Sequence, residues 1–183
     1  MKRIVVAVLL ILTLSVSVVY ASGFEVEIRA VPYEIQKYVR IKSDYSITSV
    51  QGFGGQTGVK FVTDLGFMAG VEIGIDSCTY DVGDSYRTNF DGTLHGKLGL
   101  ATPIDTRVGF ELGLGFGFDM NSDPEEGLQI YPSAMANLGL RLKCLPNTDG
   151  FALSFGAALK LDWEMDVWLA YAFTPYFGID YKF

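Results

Sequence analysis

The sequence predicts an all-β protein, an eight-stranded antiparallel up-and-down transmembrane β-barrel. Three observations predict it: apolar residues recurring at every second position, an apolar leader behind two basic residues, and a final strand of alternating aromatics. Period-two alternation places successive side chains on opposite faces of a strand. Hydrophobic residues make up 49% of the chain. Yet no segment after the leader approaches the roughly 20 continuous apolar residues that a spanning helix needs. The apolar content is spread over alternate positions instead, as a spanning barrel requires.

The leader comes first. Lys2 and Arg3 precede the uncharged stretch Ile4–Val19, and Val19-Tyr20-Ala21 offers a small-residue cleavage site ahead of Ser22. This is the layout of a secretory signal peptide over residues 1–21, followed by a single domain over residues 22–183. No cysteine follows the cleavage site, so lipid modification there is not expected. Removing Lys2 and Arg3 takes the formal charge from −7 to −9. So acidic a chain lacks the basic face that phosphate binding needs, which disfavours nucleic acid as a partner.

Eight strands follow in order. Phe24–Ala30 and Gly58–Thr63 carry the pattern imperfectly. Phe67–Ser77 sets Val71, Ile73 and Ile75 against Gly70, Glu72, Gly74 and Asp76, and Phe90–Leu100 is again imperfect. Arg107–Phe118 is the cleanest, with Val108, Phe110, Leu112, Leu114, Phe116 and Phe118 opposite Glu111 and four glycines. Gln129–Lys143 and Phe151–Trp163 repeat it, and in Trp168–Phe183 the residues Phe177, Ile179, Tyr181 and Phe183 share one face. Compact turns are expected at Thr63–Gly66, Thr102–Thr106 and Leu145–Gly150. Longer connections are expected at Pro32–Phe53, Tyr80–Asn89 and Asp119–Leu128, with a shorter one at Glu164–Asp166. Tyr38–Val50 holds enough β-formers that ten strands remain open.

Two features put the polar face inside. Glycine concentrates on that face, where it would only weaken a solvated strand but makes room inside a narrow barrel. Its charges also balance in number. Glu25, Glu27, Glu72, Asp76, Asp91, Glu111, Asp162 and Asp180 share it with Arg29, Lys60, Lys97, Arg107, Arg141, Lys143, Lys160 and Lys182. Enclosed charges must be paired, since unpaired ions out of water cost several kcal/mol each. A lumen network is therefore expected among Glu72, Asp91, Lys97, Arg107, Glu111, Arg141, Lys160 and Asp162. Aromatics gather towards the strand ends of the apolar face, as two interfacial girdles would.

On these strands, faces and girdles the chain resembles the small eight-stranded outer-membrane barrels of the OmpA/OmpX type, and more loosely OmpW. The resemblance is architectural and covers residues 22–183. It implies residence in the cell outer membrane of a Gram-negative-type envelope, outer-membrane lipid as surroundings, and insertion by the barrel-assembly machinery. Phe177, Ile179, Tyr181 and Phe183 look like the terminal signal which that machinery reads. The connections are short for an adhesin, and no peptidoglycan-binding domain follows.

Chemistry is sparse. His95, the only histidine, falls on the inner face, where a polar-network role outweighs catalysis. Cys78 and Cys144 close strands at opposite rims, on the order of 25 Å apart, so two free thiols are expected. Asp119, Asp123, Glu125 and Glu126 with Asn121 and Ser122 read as a solvated acidic loop, with a divalent cation as the alternative. No catalytic residue, cofactor or metal is expected. The function read from this is a monomeric, non-enzymatic outer-membrane protein with a structural or surface-interaction role and no steady pore, whose loops could meet an extracellular ligand. The alternative is an OmpW-like channel for small or apolar solutes.

Overall fold

The computed structural model describes residues 22–40, 46–81, 86–123, 127–143, 150–164 and 168–183. Eight strands make one closed antiparallel barrel in which each strand pairs with its sequence neighbours and the last with the first. They are β1 (Ser22–Arg40), β2 (Ser46–Thr63), β3 (Phe67–Asp81), β4 (Tyr86–Ala101), β5 (Val108–Asp123), β6 (Gly127–Leu142), β7 (Phe151–Glu164) and β8 (Trp168–Lys182). Residues 1–21, expected from the sequence to be a signal peptide, lie outside the described residues, as does Cys144.

The strands run 14 to 19 residues, where roughly 9–11 suffice to cross a bilayer. Most of what the sequence suggests as long connections is therefore strand. Pro32–Phe53 supplies the ends of β1 and β2 rather than an extra hairpin, and Asp119–Asp123 completes β5. Strands this long exceed what a bilayer needs, so the barrel reaches beyond the membrane.

A bulge hides this extension in the sequence. Pairing of β1 with β2 shifts between Val31 and Glu34 and again before Gln36, and pairing with β8 shifts between Ala30 and Ile35. Below the bulge Glu25, Glu27, Arg29 and Val31 face inward; above it the buried residues are Glu34 and Gln36. Pro32 and Tyr33 both stay exposed. An extra residue of this kind inverts the alternation beyond it.

Register fixes the barrel's dimensions. Stepping across paired residues leads from Glu25 through Lys60, Gly70, Lys97, Gly115, Met135, Lys160 and Ala172 back to β1 at Gln36. That is 11 residues above the start, one of them the bulge, which leaves a shear of 10. Eight strands with this stagger tilt by about 40° and enclose a lumen that side chains can fill.

The facing is inside-out relative to a soluble barrel. Charged and polar side chains are buried, while Leu98, Leu112, Leu114, Phe116, Leu138 and Ile179 stand exposed around the wall. Two turns at the short end are well defined. Gly66 takes φ 85° after a Gly66 N–H bond to the Thr63 carbonyl at 2.8 Å. In the β4–β5 turn, Thr106 N–H donates to the Pro103 carbonyl at 3.0 Å. At this end Val62, Met68 and Ala101 form an apolar floor across the lumen, and Ile104 of the β4–β5 turn is buried there too.

Candidate functional site: a two-tier polar lumen

The interior charges fall into two tiers. The lower tier, above the apolar floor, holds Glu25, Glu27, Glu72, Glu111 and Asp180 with Arg29, Lys60, Lys97 and Arg141. Lys60 Nζ lies 2.7 Å from Glu27 and 3.2 Å from Asp180, and also meets Glu111. Arg29 bridges Glu27 and Glu111 at 2.8 Å each and Glu72 at 3.3 Å. Lys97 reaches Glu27 at 2.9 Å, Glu72 at 3.0 Å and Glu111 at 3.4 Å. Arg141 pairs with Glu25 and with Asp180, the latter at 2.9 Å. Asn137 donates to Glu111 at 2.8 Å, and the Arg29 guanidinium stacks 4.2 Å from the Tyr176 ring centre.

Glycine makes this crossing of the lumen possible. A Cβ at Gly139 or Gly156 would strike the Tyr176 hydroxyl, one at Gly113 the Asn137 amide, and one at Gly58 would press on Glu27. Small residues on one wall thus admit large ones from the other. Val31, Met135, Ala158, Thr174 and the glycines of β5 separate this tier from the next.

Among the described residues the upper tier holds Glu34, Asp76, Asp91, Asp119 and Asp162 around one cation, Lys160. Lys160 Nζ is 2.6 Å from Asp119, 3.8 Å from Asp162 and 3.9 Å from Glu34. Gln36 donates to Glu34, and its amide nitrogen stands 3.5 Å from Asp91 and 3.4 Å from the free, buried thiol of Cys78. Thr174 donates to Glu34 at 3.0 Å. His95 lies between the tiers with its Nε2 2.8 Å from Ser133 Oγ, while its Nδ1 has no hydrogen-bond partner.

Four sequence expectations need correction. Arg107 is not in the lumen: β5 begins at Val108, so Arg107 belongs to the exposed turn, where its carbonyl accepts from Lys143 N–H at 3.1 Å. Arg141 does not meet Glu111, which is held by Arg29, Lys60 and Lys97. Nor is the interior charge balanced. Lys182 is a third exposed and pairs with Asp105 at the turn rim, and Lys143 lies beyond the end of β6. Glu34 and Asp119 enter the lumen instead, so ten acids face five bases among the described residues. The supposed acidic loop loses Asp119 to Lys160, and Glu125 and Glu126 lie outside the described residues.

Of the remaining expected network members, Glu72, Lys97, Glu111 and Arg141 sit in the lower tier and Asp91, Lys160 and Asp162 in the upper. Glu27, Arg29, Lys60 and Glu34 join them. The first three lie on the expected inner face, but only tertiary pairing shows that they form the hub. Ser133 and His95 resemble a nucleophile beside a base. Among the described residues nothing orients the ring through Nδ1, and both side chains are enclosed in the lumen.

No family model matches the chain, and no curated protein matches it in sequence. Solved structures do. One is neisserial surface protein A, NspA, at 13% identity and TM-score 0.61, covering 87% of this chain and 97% of that one. Another is Ail, the attachment invasion locus protein of Yersinia pestis, in complex with the heparin analogue sucrose octasulfate. It is 14% identical with TM-score 0.50, covering 88% of this chain and 99% of that one. Both are bacterial outer-membrane proteins, and the likeness shows the fold: an eight-stranded transmembrane barrel of the outer-membrane type.

Proposed function

We propose that this protein is a non-conducting, non-enzymatic outer-membrane barrel, a structural anchor that presents its extended upper end to the surroundings. The observation that carries this reading is the closure of the lower lumen. Arg29, Lys60, Lys97, Glu27 and Glu111 interlock across it, each almost wholly buried, above the floor of Val62, Met68 and Ala101. An eight-stranded wall leaves little beyond the volume of such side chains. Separating them would strand several charges out of water at several kcal/mol each, so opening is rare.

The segments at the upper rim, 40–46, 81–87, 123–127 and 164–168, carry eight acids and three bases. A rim partner is therefore neutral or cationic, unlike the polyanion seen with Ail. We further propose monomeric insertion into outer-membrane lipid by the barrel-assembly machinery. The competing role, a channel for small or apolar solutes, is tested by planar-bilayer conductance of the refolded protein. Silence, apart from brief spikes, is expected at neutral pH; long-lived conductance steps would overturn the closed-lumen reading.

A further inference from the structure

We propose that the upper tier of the lumen binds a hydrated divalent metal cation, anchored by Asp76 and Asp91 within the negative field of Glu34, Asp119 and Asp162. Among the described residues five carboxylates surround a single ammonium there, and that ammonium is spent on Asp119, Asp162 and Glu34. Among the described residues neither Asp76 nor Asp91 forms an ion pair, although both are buried, at 1% and 3% exposure. Asp76 Oδ1 and Asp91 Oδ1 have no hydrogen-bond partner. The lower tier is built quite differently: five acids meet four bases, and every base touches at least two of the acids.

Position favours a ligand that enters from the outer end. Asp162 and Asp119 side chains are 12% and 7% exposed, against 0–2% for the carboxylates of the lower tier. The narrow wall favours a small ion over an organic cation. A surplus of four negative charges favours a divalent ion, and hard cations of this class take oxygen ligands. Among the described residues no three of these groups converge to ligating distance, so the ion keeps water in its shell and is held partly through it, as Mg²⁺ commonly is.

The test uses the refolded protein in detergent at pH 8 after treatment with chelator. Mg²⁺ and Ca²⁺ are titrated by calorimetry into the wild type, the Asp76→Asn/Asp91→Asn double variant and Asp64→Asn, a change in an exposed turn. Saturable binding is expected in the wild type and in Asp64→Asn, with at least a tenfold loss of affinity in the double variant. Mn²⁺ added to the wild type should also broaden the methyl resonance of Met135, just below the upper tier, well before that of Met68 in the floor. Absence of binding to the wild type would overturn the proposal. Undiminished binding in the double variant, or equal broadening at the two methionines, would do the same by placing the ion elsewhere.

Discussion

Lys60 shows how much one side chain carries in this interior. Its ammonium meets Glu27, Glu111 and Asp180 and lies 3.9 Å from Glu25, all of them buried. Lys60→Met would leave those carboxylates facing one another with less positive charge, and breaking a buried pair by removing one partner costs about 3–5 kcal/mol. The pairing of Arg141 permits a sharper check. Arg141→Met and Asp180→Asn, made singly and together, should show strong coupling in unfolding midpoints, the double variant being less damaged than the sum of the singles. The same cycle with Arg141→Met and Glu111→Gln should show clearly weaker coupling, because Glu111 reaches Arg141 only indirectly, through Lys60 and Asp180. Equal coupling in both cycles would contradict the tier structure.

The strands illustrate how facing is set and where it changes. Along β5 the outward residues Phe110, Leu112, Leu114, Phe116 and Phe118 are all exposed, while Glu111, Gly113 and Gly115 are buried. Leu112→Arg would set a charge against hydrocarbon, with an expected loss of about 2–4 kcal/mol near the midplane. Single-cysteine labelling at position 112 should be slow in membranes and fast after unfolding; free reaction in the folded state would mean the wall faces water. In β1 the Pro32–Tyr33 bulge changes the phase of alternation, and Pro32 has no N–H to add to a ladder. The sequence pattern consequently stops at Ala30 although the strand runs on to Arg40.

Closure joins the first strand to the last. Glu25 pairs with Lys182 and Ala30 with Phe177 in the β1–β8 ladder, and Phe183 N–H donates to the Phe24 carbonyl at 3.0 Å. Tyr181 and Phe183 pack edge to face at 5.1 Å on the outer surface beside this seam. Replacing both by alanine leaves the lumen tiers untouched. If they belong to the assembly signal, insertion in cells should fall several-fold while refolding into detergent stays near wild type. Equal loss in both settings would mean that the pair acts on stability alone.

Alternation and glycine placement were sufficient to determine the architecture, because the period of a strand and the inversion of a membrane barrel are local properties of sequence. They reach as far as naming Glu72, Glu111, Lys97 and Arg141 as interior residues. Partner choice is different. Arg141 meets Glu25 across 116 residues and Lys60 meets Asp180 across 120, and such neighbours follow from strand tilt and shear, which no single segment encodes. The same geometry lifts Glu34 into the lumen through the bulge and leaves Arg107 in a turn. The near-balance below and the acid surplus above were decided by the closed barrel, since only stagger around the full circle sets the depth of each charge.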